Sequence, residues 1–194
     1  MPILKTTLDH LLSNVLPSAG EYIAAEEALS RAEELGNSDS EAITAKRKAA
    51  ELAVAIDGLS DRASRDLTIP IEAIREAVPA LCHWPGSPVT RIEAFERVHG
   101  VANAYKHASL DKRSHVIRSF DDVLVVGLGY GLDGYGVGKF GGIEVLVRDK
   151  AGVSWKFMGD APTVISAWFR FLSNRGAALP NCTFRICGIQ VHPY

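Results

Sequence analysis

The spacing of apolar residues changes once along this chain, near residue 112. Before that point apolar side chains recur every three to four residues, as they do on one face of an α-helix. After it they alternate at every second residue or form short continuous runs, as they do in β-strands. The pattern predicts an α+β protein, with a five-helix bundle over residues 1–112. Residues 113–194 are predicted to form a small, glycine-rich antiparallel sheet with one packed helix at residues 160–175.

The first three predicted helices are separated by recognisable start and stop residues. The first helix ends at Pro17, and the second runs from Ser18 to a stop at Gly36. Ser38 and Glu41 have the spacing of a capping box at the start of the third helix. The apolar side of the third helix is expected to be formed by Ala45, Ala49, Leu52, Ala53, Ile56 and Leu59.

Two more helices complete the predicted bundle. Residues 60–69 are predicted to be a polar connection, after which Pro70 occupies the first position of the fourth helix. Ser87 is predicted to begin the fifth helix, whose apolar stripe includes Ile92 and Tyr105. Short connections between five amphipathic helices favour a shared core.

The second part of the chain has strand-like segments on both sides of one helix. Residues 123–126 form an apolar run that predicts a strand buried on both faces, and residues 143–157 predict a hairpin. Asp160 is the predicted N-terminal cap of the helix. The last strand changes parity, which a bulge at Gly188 would accommodate.

Composition excludes several classes of protein. The chain of 194 residues is 47% hydrophobic and carries a net charge of -2, so it has no overall attraction to nucleic acid or to anionic membranes. Residues 1–112 contain 12 basic and 17 acidic residues, and residues 113–194 contain 9 and 6. Neither a signal peptide nor a membrane span is predicted. Cys82, Cys182 and Cys187 are odd in number, which favours free thiols in a reducing, cytoplasmic setting; the last two are expected to be buried.

A polar stripe on the fifth helix is the first candidate site. His99, Asn103 and His107 recur every four residues, with Lys106 beside them. The two histidines would be about 12 Å apart along a straight helix, too far to share one metal ion. A neutral His107 could serve as a general acid or base, and a stripe that only hydrogen-bonds loops or a partner subunit is the alternative. Arg97 is expected to pair with Glu93.

The stretch Ala-Asn-Ala-Tyr-Lys-His at residues 102–107 resembles the signature of HEPN domains and of uncharacterised bacterial proteins with a similar motif. HEPN domains are helical bundles, often dimeric, and many are metal-independent ribonucleases. Asn103 matches the polar position of the signature and His107 matches its histidine. The arginine position holds Ala102, whose methyl group cannot bind a phosphate as a guanidinium does. The resemblance therefore implies a homodimer that binds RNA or protein, with Asn103 and His107 as candidate catalytic residues.

Eight glycines lie among residues 127–142, and they form the second candidate site. Neither dinucleotide-binding nor P-loop spacing is met, because position 132 is leucine and Phe140 follows Lys139. Amides freed by Gly129, Gly131 and Gly136 could instead bind an anion together with Lys139. The alternative is a plain connection between strands or a subunit contact.

Taken together, these features predict a HEPN-like module that binds RNA or protein without catalysis, with no cofactor and no metal. A metal-independent ribonuclease using His107 and a purely dimeric interaction protein are the alternatives. The residues expected to bind are His99, Lys106, Gly129, Gly131, Gly136 and Lys139.

Overall fold

The computed structural model describes residues 3–84, 86–107, 110, 116–127, 142–186 and 188–192. Within these residues the α-helices are α1 (Lys5–His10), α2 (Leu16–Glu34), α3 (Asp39–Leu67), α4 (Ile71–Ala77), α5 (Ala94–Lys106) and α6 (Phe157–Asn174). The strands are β1 (Val123–Gly127), β2 (Ile143–Arg148), β3 (Ser154–Lys156), β4 (Phe184–Ile186) and β5 (Ile189–His192). The predicted α+β class is confirmed. No helix of the described chain is long and apolar enough to cross a membrane.

The predicted break at Pro17 is wrong, because the helical backbone continues from α1 into α2. A π-helical turn, Leu11–Val15, joins them, and the N–H of Leu16 donates to the carbonyl of Leu11 five residues earlier. Pro17 then falls in the first turn of α2. The widened turn gives the proline ring room that an ordinary α-helical turn would not. The predicted stop at Gly36 is confirmed, since this residue has φ +72° after the end of α2.

Helix α3 begins without the predicted capping box and ends later than predicted. The Ser38 hydroxyl donates to Glu33 instead, at 2.6 Å. The segment 60–69, predicted as a connection, is helical as far as Leu67. One of its polar residues is bound from another helix: Asp66 accepts hydrogen bonds from the backbone N–H and the hydroxyl of Thr7, both at 2.9 Å. The predicted apolar side of α3 is confirmed, with all six residues buried.

Helix α5 begins seven residues later than predicted. The preceding residues form bends and turns in place of a helix; His83 and Thr90 form a β-bridge, and the N–H of Arg91 donates to the carbonyl of Cys82 at 2.6 Å. Ile92 consequently lies outside the helix and is 73% exposed, so its predicted place in the apolar stripe is wrong. Tyr105 is also largely exposed.

The first sheet has the order β1–β2–β3 and is antiparallel throughout. The hairpin of β2 and β3 is confirmed, with Gly152 in its turn at φ +86°. Strand β1 lies at the edge; its Val123 is buried, but Val126 is exposed, so the predicted burial on both faces is wrong.

A carboxylate from α2 reaches into this sheet. The buried Glu26 accepts hydrogen bonds through Oε1 from the hydroxyl of Tyr22 at 2.7 Å and from the backbone N–H of Val145 at 2.9 Å. Val145 lies one residue before the first β2 residue paired with β3. The helical part and the sheet are therefore joined by a buried polar contact as well as by a shared hydrophobic core.

Helix α6 packs against α5, the first sheet and β5, as predicted for a helix between bundle and sheet. Its apolar residues, Val164, Ile165, Trp168, Phe169 and Leu172, are all fully buried. Asp160 is not its cap, because α6 begins at Phe157. The last predicted strand is in fact a hairpin of β4 and β5, in which Gly188 with φ +79° makes the turn in place of a bulge.

Candidate functional site

Helices α3, α4 and α5 bring five polar residues together around the carboxylate of Asp57. We call this group the Asp57 cluster; its members are Asp57, Arg75, His99, Asn103 and Lys106. Asp57 Oδ1 lies 2.6 Å from Nδ1 of His99, and Oδ2 accepts from Nζ of Lys106 at 2.8 Å. Nη2 of Arg75 lies 3.8 Å from Oδ1. The carboxylate is 8% exposed, whereas the Lys106 and Arg75 side chains are 40% and 37% exposed, so the cations are open to solvent and the anion is not.

Helical spacing explains how α5 supplies three of these residues. His99 and Asn103 are four residues apart, so they lie one turn apart on one face, and Lys106 follows three residues later. Nδ2 of Asn103 donates to Nε2 of His99 at 2.9 Å. Both ring nitrogens of His99 therefore have partners, the Asp57 carboxylate at Nδ1 and the Asn103 amide at Nε2, and these two contacts orient the ring.

The neighbouring donors keep Asp57 ionised. Burial on its own would raise the pKa of this carboxyl group. Hydrogen bonds from His99 and Lys106, together with their charges, outweigh the burial and lower the pKa from 3.8 to about 2. At neutral pH the cluster therefore holds one fixed carboxylate between two cations.

The structure brings together only some of the residues predicted to form a site. His99, Asn103 and Lys106 are in contact through the cluster, as their helical spacing suggested. His107 directly follows α5; its backbone is extended with φ −129°, its side chain is exposed, and its N–H donates to the carbonyl of Asn103 at 2.9 Å. The catalytic role predicted for His107 stays a prediction.

Several predicted residues lie outside the part of the chain that the structure describes. These are Gly129, Gly131, Gly136 and Lys139, from the glycine-rich second candidate site. Their predicted contact with an anion remains a prediction.

Asp57 and Arg75 were missed by the sequence reasoning. Asp57 directly follows the buried Ile56 on α3, and a charged residue at the margin of an apolar stripe is a signal that could have identified it. Arg75 gave no such signal, since its contact with Asp57 depends on how α4 packs against α3.

A second ionic group lies deep in the protein, and it involves Asp160. Nε of Arg91 donates to Oδ1 of Asp160 at 2.6 Å, and Nε of Arg97 donates to Oδ2 at 2.7 Å. The expected pair of Arg97 with Glu93 is therefore wrong. The two guanidinium groups also lie over indole rings, Arg91 over Trp84 at 4.4 Å and Arg97 over Trp155 at 4.1 Å. All three charged side chains are at most 1% exposed, so the group cannot meet a ligand in this conformation. Through Arg97 and Asp160 it joins α5 to α6.

The cysteines are not arranged for metal binding within the described residues, where no group of three or more histidine, cysteine or acidic side chains is suitably placed. Cys82 is buried and Cys182 is exposed, and both are free thiols. The predicted burial of Cys182 is therefore wrong, and Cys187 lies outside the described residues.

Comparisons of this chain with protein-family models, with curated proteins and with solved structures gave no match. The function proposed below therefore rests on the geometry of the Asp57 cluster and on the resemblance carried by residues 102–107.

Proposed function

We propose that this protein is a HEPN-like module that binds the phosphodiester backbone of RNA at the Asp57 cluster without cleaving it. The observation that carries the proposal is the pair of partly exposed cations, Arg75 and Lys106, beside a single buried carboxylate. Arg75, Lys106 and Asp57 together carry one positive charge. Asp57 holds Lys106 in place by a hydrogen bond, which reduces the conformational freedom that the lysine would lose on binding a phosphate.

The residues at the positions of the HEPN signature support a protein that does not cleave RNA. Ala102 stands where the HEPN signature has arginine, and its side chain is completely buried in the core. Asn103 covers Nε2 of His99, the nitrogen that would have to accept a proton from an attacking hydroxyl. His107 lies just beyond the end of α5 and has an extended backbone.

The test is the binding of a fluorescein-labelled single-stranded RNA of mixed sequence, followed by anisotropy at several salt concentrations. We expect saturable binding that weakens with salt. Lys106→Met and Arg75→Gln should each weaken it several-fold and reduce its salt dependence, because each removes one phosphate contact. Arg47→Gln is the matched control, since Arg47 is an exposed α3 residue paired only loosely with Glu51 at 3.8 Å. Equal affinity in Lys106→Met and the wild type would refute the proposal.

A second candidate is a metal-independent ribonuclease in which His99, instead of the predicted His107, is the acid or base. It is favoured by the 2.6 Å contact of His99 with Asp57, the carboxylate–imidazole pairing that orients catalytic histidines. Cleavage of the same RNA in EDTA decides between them. Cleavage that is lost in His99→Gln and kept in His107→Ala supports this candidate. Cleavage that is lost only in His107→Ala supports His107 as the catalytic residue. If the wild type does not cleave the RNA, the non-catalytic binding module is the better description.

The proposal also includes a homodimer in a cytoplasmic setting. Reduced, unpaired Cys82 and Cys182 support the reducing compartment. The dimer rests on the resemblance alone and is tested by light scattering after gel filtration. If the protein dimerises but binds no RNA in the anisotropy experiment, the purely dimeric interaction protein becomes the better description.

A further inference from the structure

A cavity of about 320 Å³ lies where three segments meet, and no residue of the Asp57 cluster lines it. One wall is the loop that contains His83 and Gly86, another is a face of α6, and the third is the turn and first residues of β5. Its volume is at the lower end of the range, about 300–1,000 Å³, found for pockets that hold small molecules.

Three polar side chains of α6 line this cavity from one helical face. Thr163, Ser166 and Arg170 are spaced by three and four residues, so they follow one another along the same side of the helix. Nη1 of Arg170 donates to the carbonyl of Leu81 at 2.9 Å, which fixes the position of the guanidinium group. The hydroxyl of Thr163 donates to the carbonyl of Gly159 at 2.9 Å. The polar wall is therefore ordered before any ligand arrives.

The charge of the residues that line the cavity favours an anionic ligand. Arg170 is the permanently charged residue among the described residues that line the cavity, and none of those residues is acidic. A single guanidinium matches the single charge and the planar shape of a carboxylate, with which it forms paired hydrogen bonds. A phosphate dianion is better matched by two permanent cations or by a helix N-terminus, and the described lining has one permanent cation and no helix N-terminus.

The remaining wall suits an apolar body. Ile189 lies beside the polar face, and Gly188 has open space where a β-carbon would stand. Gln190 adds an amide at the same edge. We propose that this cavity binds a small organic carboxylate, whose charged group pairs with Arg170 and whose apolar body lies against Ile189. This site is independent of RNA binding at the Asp57 cluster.

The probes are acetate, butyrate, benzoate and phenylacetate, each compared with its neutral amide by isothermal titration calorimetry and thermal unfolding. We expect at least one of the larger carboxylates to bind saturably and to raise the melting temperature, and its amide to bind at least tenfold more weakly. Inorganic phosphate is included as a further probe. Phosphate binding that equals the best carboxylate would overturn the assignment to carboxylates.

Variants of Arg170 locate the binding. Arg170→Met should abolish it, and Arg170→Lys should weaken it about tenfold, because an ammonium group keeps the charge but loses the paired geometry. Arg175→Met is the control, since Arg175 is an exposed arginine just beyond the end of the same helix. If Arg170→Met fails to fold, Gln190→Trp places an indole at an exposed position of the cavity wall and should block binding. Undiminished binding in the folded variants, or no saturable binding of any carboxylate, would overturn the inference.

Discussion

Arg97 binds Asp160 through two hydrogen bonds, from Nε to Oδ2 at 2.7 Å and from Nη2 to Oδ1 at 2.8 Å, and both side chains are completely buried. Arg91 shares the same carboxylate. Two guanidinium groups thus share one carboxylate, which lies 63 residues after Arg97 on α6. Helices α5 and α6 are therefore joined by an ionic contact that neither could satisfy alone.

Removal of this carboxylate is expected to be severely destabilising. Asp160→Asn should lower the free energy of unfolding by about 3–5 kcal/mol, because it removes the carboxylate that two buried arginines share. Urea unfolding followed by circular dichroism measures the loss. Asp9→Asn, which removes only an exposed pair with Lys5, should change stability by less than about 1 kcal/mol. Similar losses in the two variants would contradict the role given to Asp160.

Acid should remove the contribution of Asp57. Its pKa in the folded protein, about 2, lies below the ordinary value of 3.8, so ionised Asp57 favours the folded state above that ordinary value. This stabilisation is lost as the pH falls from about 4 through about 2. Asp57→Asn should therefore be less stable than the wild type by about 2 kcal/mol at pH 6, and the gap should narrow towards pH 2. Chemical denaturation at a series of pH values measures the gap, and a gap that stays constant would contradict the assignment.

A left-handed residue after α3 offers a stabilising substitution. Thr68 has φ +54° and is exposed, and a β-branched residue is strained in that conformation. Thr68→Gly should raise the free energy of unfolding by about 1 kcal/mol. Gly36 occupies the equivalent place after α2 with φ +72°, so Gly36→Ala should lower it by a similar amount. Thermal unfolding of both variants tests these two expectations. A loss of stability in Thr68→Gly would contradict the strain assigned to Thr68.

The two described thiols should differ sharply in reactivity. Burial raises the pKa of Cys82 to about 12, and the negative charges of Glu96 and Asp160 act in the same direction, whereas Cys182 is exposed. Iodoacetamide at pH 8 should therefore alkylate Cys182 in the native protein and spare Cys82 until the protein is unfolded. Peptide mass spectrometry with and without guanidinium chloride measures this. Rapid native labelling of Cys82 would show that its surroundings open.

The elements that could be predicted from sequence are those whose pattern is local. The hairpin of β2 and β3 follows from alternation around a glycine turn, and α6 follows from an apolar face wide enough to be buried on several sides. The start of α5 could not be predicted, because residues 87–93 favour a helix locally. They instead form bends and a turn, and the backbone N–H of Arg91 donates to the carbonyl of Cys82.

Some residues of the candidate site could likewise be predicted from the sequence, and others could not. His99, Asn103 and Lys106 share one helix, so their spacing was enough to place them together. Asp57 lies on another helix, 42 residues before His99, and no periodicity relates the two. The partner of Arg97 was missed for the same reason: the expected ion pair with Glu93 was local, whereas the carboxylate that it binds comes from α6.

The contact of Glu26 with Val145 limits how far the first sheet can extend. Strand β3 pairs with only three residues of β2, and the next amide along β2 donates to a side chain of α2. A strand from another molecule that sought to pair at that position would have to displace a buried carboxylate, which is costly. Many sheets protect such positions with charged residues that face solvent. Here the position is protected by a buried side chain of α2, so protection against intermolecular strand addition lasts as long as α2 stays packed against the sheet.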